Sequence, residues 1–265
     1  MNGVITALLL TVAAGLSTGI GGALVLFKKK ISSDFLAGAL GLSAGVMLFI
    51  SLAELLPQSQ ALMAACWSGK GGGAMALVAF FIGMGVITLI DFIVPEYENP
   101  HEATGLSLDG HANIKRLGVM SAIAIAVHNF PEGIATFIGA LNDPQTGAGI
   151  TFAIALHNIP EGIAVAIPIY YATKKKGKAF LWAMLSGLSE PAGALLCYGA
   201  ATLFGADLAG GGPAFPLVLA AVAGIMAYIS LDELLPTAEK YGKHHVAIVG
   251  VVAGMAIMGA SLLLI

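Results

Sequence analysis

Eight apolar stretches, residues 4–27, 35–56, 74–94, 118–141, 148–171, 179–204, 214–235 and 245–265, take up most of this 265-residue chain. Each is long enough to cross a hydrocarbon core of about 30 Å, which takes roughly 20 helical residues. In lipid a backbone must satisfy its own hydrogen bonds, so only helices and closed barrels can span it. The stretches are continuously apolar and rich in Gly and Ala instead of alternating with a period of two, which excludes barrel strands. The expected fold is therefore an all-α integral membrane protein of eight transmembrane helices, organised as one domain over residues 1–265. Composition agrees, with 58% hydrophobic and 10% charged residues, whereas soluble domains are roughly half apolar and about a quarter charged. The short linkers leave no soluble domain, and a net charge of −3 gives no footing for nucleic acid.

Glycines at four-residue spacing, Gly15/Gly19, Gly41/Gly45 and Gly250/Gly254, suit close backbone contact between membrane helices. Residues 15–19 (GLSTG) and 41–45 (GLSAG) match the G-x-S-x-G pattern of hydrolases, but neither follows a strand, so neither reads as a nucleophile. Cys66 and Cys197 make no disulfide framework. Basic residues cluster after odd-numbered spans, as Lys28–Lys30, Lys115/Arg116, Lys174–Lys178 and Lys240/Lys243, with only Lys70 in an even loop. The positive-inside rule then puts both termini outside the cytoplasm. The first span lacks a basic region ahead of it and reads as a retained helix.

Every lysine and arginine lies outside the spans, yet Glu54, Glu132, Glu161, Glu190, Asp232 and Glu233 fall within or beside them. An ionised carboxylate at membrane depth is costly, so protons or an imported cation must compensate it. Residues 126–135 (AVHNFPEGIA) recur almost unchanged at 155–164 (ALHNIPEGIA). His128, Asn129 and Glu132, and likewise His157, Asn158 and Glu161, are spaced three or four apart and share one helix face. Each motif lies near the middle of its span, as does Glu190 in the sixth. Imidazole nitrogens and carboxylate oxygens suit zinc, and with asparagine they also suit manganese, iron or cobalt. The fourth and fifth spans run antiparallel, so joining the two faces closes a metal cage that Glu190 can enter. Pro131, Pro160 and Pro191 are expected to break their helices at this depth, freeing carbonyls that a substrate path would satisfy.

Residues 44–57 (AGVMLFISLAELLP) reappear at 223–236 (AGIMAYISLDELLP), a constant offset of 179 residues. The copies lie in the second and seventh spans, so they run in opposite directions across the membrane. Inverted repeats around a midplane site are a signature of alternating-access transporters. Glu54 then sits near the outer surface and Asp232 and Glu233 near the cytoplasm. Asp91, at the cytoplasmic end of the third span, reads equally as part of the release group or as an interfacial cap.

The doubled H-N-x-P-E-G, the LSEP around Glu190 and the eight-span layout resemble the ZIP (Zrt/Irt-like) family of divalent-metal transporters, in its bacterial branch, over essentially the whole chain. The resemblance implies a carrier in the bacterial cytoplasmic membrane. It would bring in zinc foremost, with iron, manganese, cobalt and cadmium as further substrates, and would need no organic cofactor. It also implies a homodimer in membrane lipid. By the same resemblance His128, Glu132, His157 and Glu161 make one metal position. Asn129, Asn158 and Glu190, with Glu132 and Glu161 bridging, make a second. Glu54 resembles the family's outer-gate acid, and Asp91, Asp232 and Glu233 its cytoplasmic release cluster. Residues 95–117 hold His101 and His111 but no histidine-rich tract, and read as a solvated loop.

No G-x-x-x-x-G-K-[ST] phosphate loop is present, so direct ATP coupling is not expected. Two alternatives use the same acids. One is an intramembrane di-metal enzyme, although such sites use Glu-x-x-His and this chain has His-x-x-x-Glu. The other is a proton- or sodium-coupled antiporter, which has little use for two histidine–asparagine pairs.

Overall fold

A computed structural model describes residues 2–27, 32–67, 70–93, 111–205, 208, 212–241 and 243–263. The segment 94–110, with His101, lies outside the described residues, as do the side chains of Asp91, His111 and His128. Every described element is helical: α1 (Asn2–Phe27), α2 (Ser33–Ile50), a π-turn π1 (Ser51–Leu55), α3 (Leu56–Cys66), α4 (Lys70–Ile93), α5 (His111–Asn142), α6 (Pro144–Thr173), α7 (Lys176–Gly187), α8 (Ser189–Phe204), α9 (Ala214–Ile229), a second π-turn π2 (Ser230–Leu234), α10 (Leu235–Tyr241) and α11 (His244–Leu262). The runs α2–π1–α3 and α9–π2–α10 are continuous rods, and α7 and α8 form one span with a single turn residue, Leu188, between them, so the elements correspond to the eight expected spans. Seven stretches among the described residues are long and apolar enough to cross a membrane. The remaining rod, α5, is 32 residues long and carries the first H-N-x-P-E-G motif.

Residue chemistry explains the local breaks. Ser32 caps α2 by accepting a hydrogen bond from the Phe35 amide, and Asp34 adds negative charge to that first turn. Gly205, at φ 68°, ends α8 in the left-handed conformation that favours glycine. Pro131 and Pro160 do not break their helices, contrary to expectation, because α5 and α6 run through them uninterrupted. A proline removes one backbone bond, and neighbouring helices can hold the rod straight around that loss. Only the sixth span is interrupted, at Leu188, with Pro191 inside the first turn of α8.

The helices approach through glycine. A methyl group placed on Gly45 would collide with the Val251 carbonyl, and one on Gly254 with that of Leu42, so α2 and α11 touch backbone to backbone. Gly224 and Gly83 stand in the same relation to the carbonyls of Phe80 and Ala221, joining α9 to α4. Gly162 meets the Thr18 carbonyl and Gly21 that of Ile159, joining α6 to α1. Gly133 meets the Glu190 carbonyl and Gly193 that of Phe130, joining α5 to α8. Gly15 and Gly187 meet each other's carbonyls where α1 crosses α7. In the first four pairs, the carbonyl met by one glycine belongs to the residue three positions before the other. Spans one to three therefore repeat as six to eight with inverted direction, and α5 exchanges with α6. The repeat visible in residues 44–57 and 223–236 thus extends through the bundle.

Basic side chains gather at one end. Lys243 lies 3.8 Å from Asp34 at the start of α2, and Lys176 reaches the Leu26 carbonyl at the end of α1.

Forcing a side chain into one of these contacts must separate two helices, and overpacking of this kind costs about 1–3 kcal/mol or more. Gly224→Val should lower the thermal unfolding midpoint in detergent by several degrees. Gly85→Ala, where a methyl meets nothing within 4 Å, should leave it nearly unchanged. Equal midpoints for both variants would refute the packing argument.

Candidate metal centre

The two motifs face each other where α5 packs on α6, and α8 brings Glu190 beside them in its first turn. Asn129, Glu132, His157, Asn158, Glu161 and Glu190 are all completely buried. His157 Nε2 lies 3.3 Å from Glu132 Oε1, linking the two helices. Asn158 donates to Glu190 Oε1 at 2.5 Å, which ties the fifth span to the sixth. Glu190 also lies within electrostatic range of both Glu132 and Glu161. Three carboxylates thus share one buried volume, and lysine and arginine are absent from it.

Helix carbonyls orient both asparagines. Asn158 Nδ2 donates to the Ala14 carbonyl at 3.2 Å, and Asn129 Nδ2 to the Ser186 carbonyl at 3.4 Å. With their amide hydrogens committed, both Oδ1 atoms are left without a donor. Neither oxygen of Glu132 accepts a hydrogen bond, nor does Glu190 Oε2. Buried polar atoms are nearly always paired, and leaving one unpaired costs about 1–3 kcal/mol. Five such oxygens in one place form a strongly electronegative pocket suited to a desolvated cation. Among the described residues, no three histidine, cysteine, aspartate or glutamate side chains form a metal-holding group by themselves.

Ser43 of α2 was not singled out in the sequence. Its hydroxyl lies 3.3 Å from Glu161 Oε1 and 3.3 Å from the His157 carbonyl. The signal was GLSAG, whose serine serves neither as a nucleophile nor only as a helix spacer. The two π-turns occupy equivalent places in the repeat. Ser51 bonds to the Met47 carbonyl at 2.6 Å and Ser230 to that of Met226 at 2.7 Å. Such turns commonly mark functional sites, and these carry Glu54 on one and Asp232 with Glu233 on the other.

Glu54 lines a cavity of about 200 Å³ with Asp143 and Gln145, which sit where α5 turns into α6. Asp143 is a second acid at that mouth, invisible beforehand because it falls in a two-helix junction far from Glu54 in sequence. π2 packs on α2, and its Asp232 and Glu233 are half-buried. Glu54 and the pair Asp232 and Glu233 thus lie on separate π-turns at equivalent places in the repeat.

A family profile described as "ZIP Zinc transporter" matches residues 96–262. The chain is 51% identical to the zinc transporter ZupT of Chlorobium phaeovibrioides, covering all of both chains. It is 48% identical to the zinc transporter ZupT of Clostridium perfringens, covering 100% of this chain and 97% of that one. Against the zinc transporter ZupT of Streptococcus mutans the identity is 49%, covering 98% of this chain and 97% of the other. A doubled H-N-x-P-E-G within an eight-rod bundle and full-length identity near one half agree: this chain belongs to the ZIP zinc transporter family.

Proposed function

We propose that this chain is a divalent-metal uptake transporter that carries zinc into the cytoplasm through a binuclear site between α5, α6 and α8. The observation that carries this reading is the set of five buried oxygens without a donor, both of Glu132, Oε2 of Glu190 and the Oδ1 atoms of Asn129 and Asn158, with no lysine or arginine among their described neighbours. The names of its relatives supply the metal. Iron, manganese, cobalt and cadmium share enough ligand chemistry to be further substrates, since selectivity rests on geometry more than on affinity. In this reading the chain acts as one transporter domain over residues 1–265, as a homodimer in the bacterial inner membrane with both termini outside.

The residues divide the work. Glu54 and Asp143 give a hydrated cation its first negative charges at the outer mouth. His128, Glu132, His157 and Glu161 hold one metal. Asn129, Asn158 and Glu190 hold the second, with Glu132 and Glu161 shared between the two. Asp232 and Glu233, with Asp91, receive the cation at the cytoplasmic end. The acids need replacement charge when the metal leaves, and protons are the available cation, so binding should weaken as pH falls.

The experiment that tests transport is zinc uptake into proteoliposomes by wild type and a folded Glu161→Ala variant, with sodium as control and iron and manganese as competitors. Uptake should be abolished in the variant and unaffected by sodium. Wild type that binds zinc but moves none would defeat the carrier reading, and sodium-driven flux without zinc would favour the antiporter. Binding stoichiometry is an independent check. Glu132→Ala should lose tight zinc at both positions because that carboxylate bridges, whereas Asn129→Ala should weaken only the second. Two metals retained by Glu132→Ala would exclude the shared-ligand arrangement.

A further inference from the structure

We propose that the Thr18 hydroxyl of α1 is a further ligand of the second metal position, occupying the place that Glu190 holds in the other half of the repeat. This inference rests on the binuclear reading above and adds a residue from a helix that it does not use.

The first observation is the hydroxyl itself. Thr18 is completely buried, and its Oγ1 has no hydrogen-bond partner. A threonine inside a helix ordinarily bonds the carbonyl four residues back. Thr11, Thr88, Thr151, Thr173 and Thr202 all do so here. For Thr18 that carbonyl belongs to Ala14, which already accepts from Asn158 Nδ2 at 3.2 Å and from Ser17 Oγ at 2.5 Å. The Thr18 hydroxyl is thus displaced from its usual partner by an asparagine of the cage.

The second observation is position. Gly162 packs on the Thr18 carbonyl as Gly133 packs on that of Glu190. Asn158 donates to the carbonyl four residues before Thr18, and Asn129 to the one four residues before Glu190. Thr18 and Glu190 are therefore counterparts, beside Glu161 and Glu132 respectively. A methyl group on Gly187 would stand 2.9 Å from Thr18 Oγ1. Gly187 adjoins Ser186, whose carbonyl holds the Asn129 amide. The hydroxyl thus lies against the Ser186–Gly187 end of α7, the same end that holds the Asn129 amide.

The chemistry follows. A hydroxyl offers a cation two lone pairs without adding charge. The counterpart of Glu190 is neutral, so the cage gathers its negative charge on the α8 side while keeping an oxygen on the α1 side.

The test is zinc titration of detergent-purified, full-length protein with stoichiometry followed calorimetrically, using Thr18→Val, Thr18→Ala and Thr18→Ser. Removal of the hydroxyl should weaken the second zinc by about tenfold, the scale of one ordinary polar contact, and leave the first unchanged. Thr18→Ser should restore binding to within about twofold of wild type on the same scale. Either Val or Ala serves, so loss of folding in one leaves the other decisive. Two zinc ions bound with wild-type affinities by a folded Val or Ala variant would overturn the role of Thr18 alone. Wild type that holds fewer than two zinc ions would overturn the binuclear reading itself.

Discussion

Contact of backbone with backbone at glycine is the constraint on which the rest of this bundle depends. In lipid there is no hydrophobic force to press helices together, so close packing and polar contacts must do it. Gly133 and Gly193 bring α5 against α8, and Gly21 and Gly162 bring α1 against α6. Those crossings set the separation of the helices that carry Glu132, Glu161 and Glu190. Larger residues at these places would widen the cage, and the Asn158–Glu190 bond at 2.5 Å could not span the gap. The glycine contacts thus act at one remove on the ligands, by fixing where their helices stand.

What the close contacts enclose is an electrostatic imbalance. A buried carboxylate usually finds a basic partner or takes up a proton. Here the described polar neighbours are a histidine, two asparagines and a serine, and each asparagine amide donates to a helix carbonyl, that of Asn158 to Glu190 as well. Several of its oxygens are therefore left without a donor from the protein. Glu54 lies on one π-turn and Asp232 with Glu233 on the other, where the helix widens by one residue and turns its side chains anew.

Much of this was legible in the sequence, for physical reasons that can be named. Spans were readable because lipid demands long uninterrupted apolar helices, and the limits proposed for them fall within or close to the helices found. The paired motifs were readable because histidine, asparagine and glutamate are costly at that depth. Their burial and the joining of α5 to α6 follow the expected pattern. The prolines misled, because a local rule about one lost hydrogen bond ignores the neighbours that support the helix. Ser43 and Thr18 were hidden in GLSAG and GLSTG, patterns set aside for lacking the surroundings of a nucleophile. Their significance depends on which distant carbonyl or carboxylate they meet. The wider repeat was hidden for a related reason: its glycine contacts keep their spacing where the surrounding letters have diverged.

The inverted halves share one set of contacts although they cross the membrane in opposite directions. Helices that pack equally well either way up carry no direction of their own. During biosynthesis the orientation of each half must then be decided by what lies beyond the apolar segments, chiefly lysine clusters such as Lys174, Lys175, Lys176 and Lys178. A handful of charged residues in the loops thus determines which face of the cell the transport path opens to first.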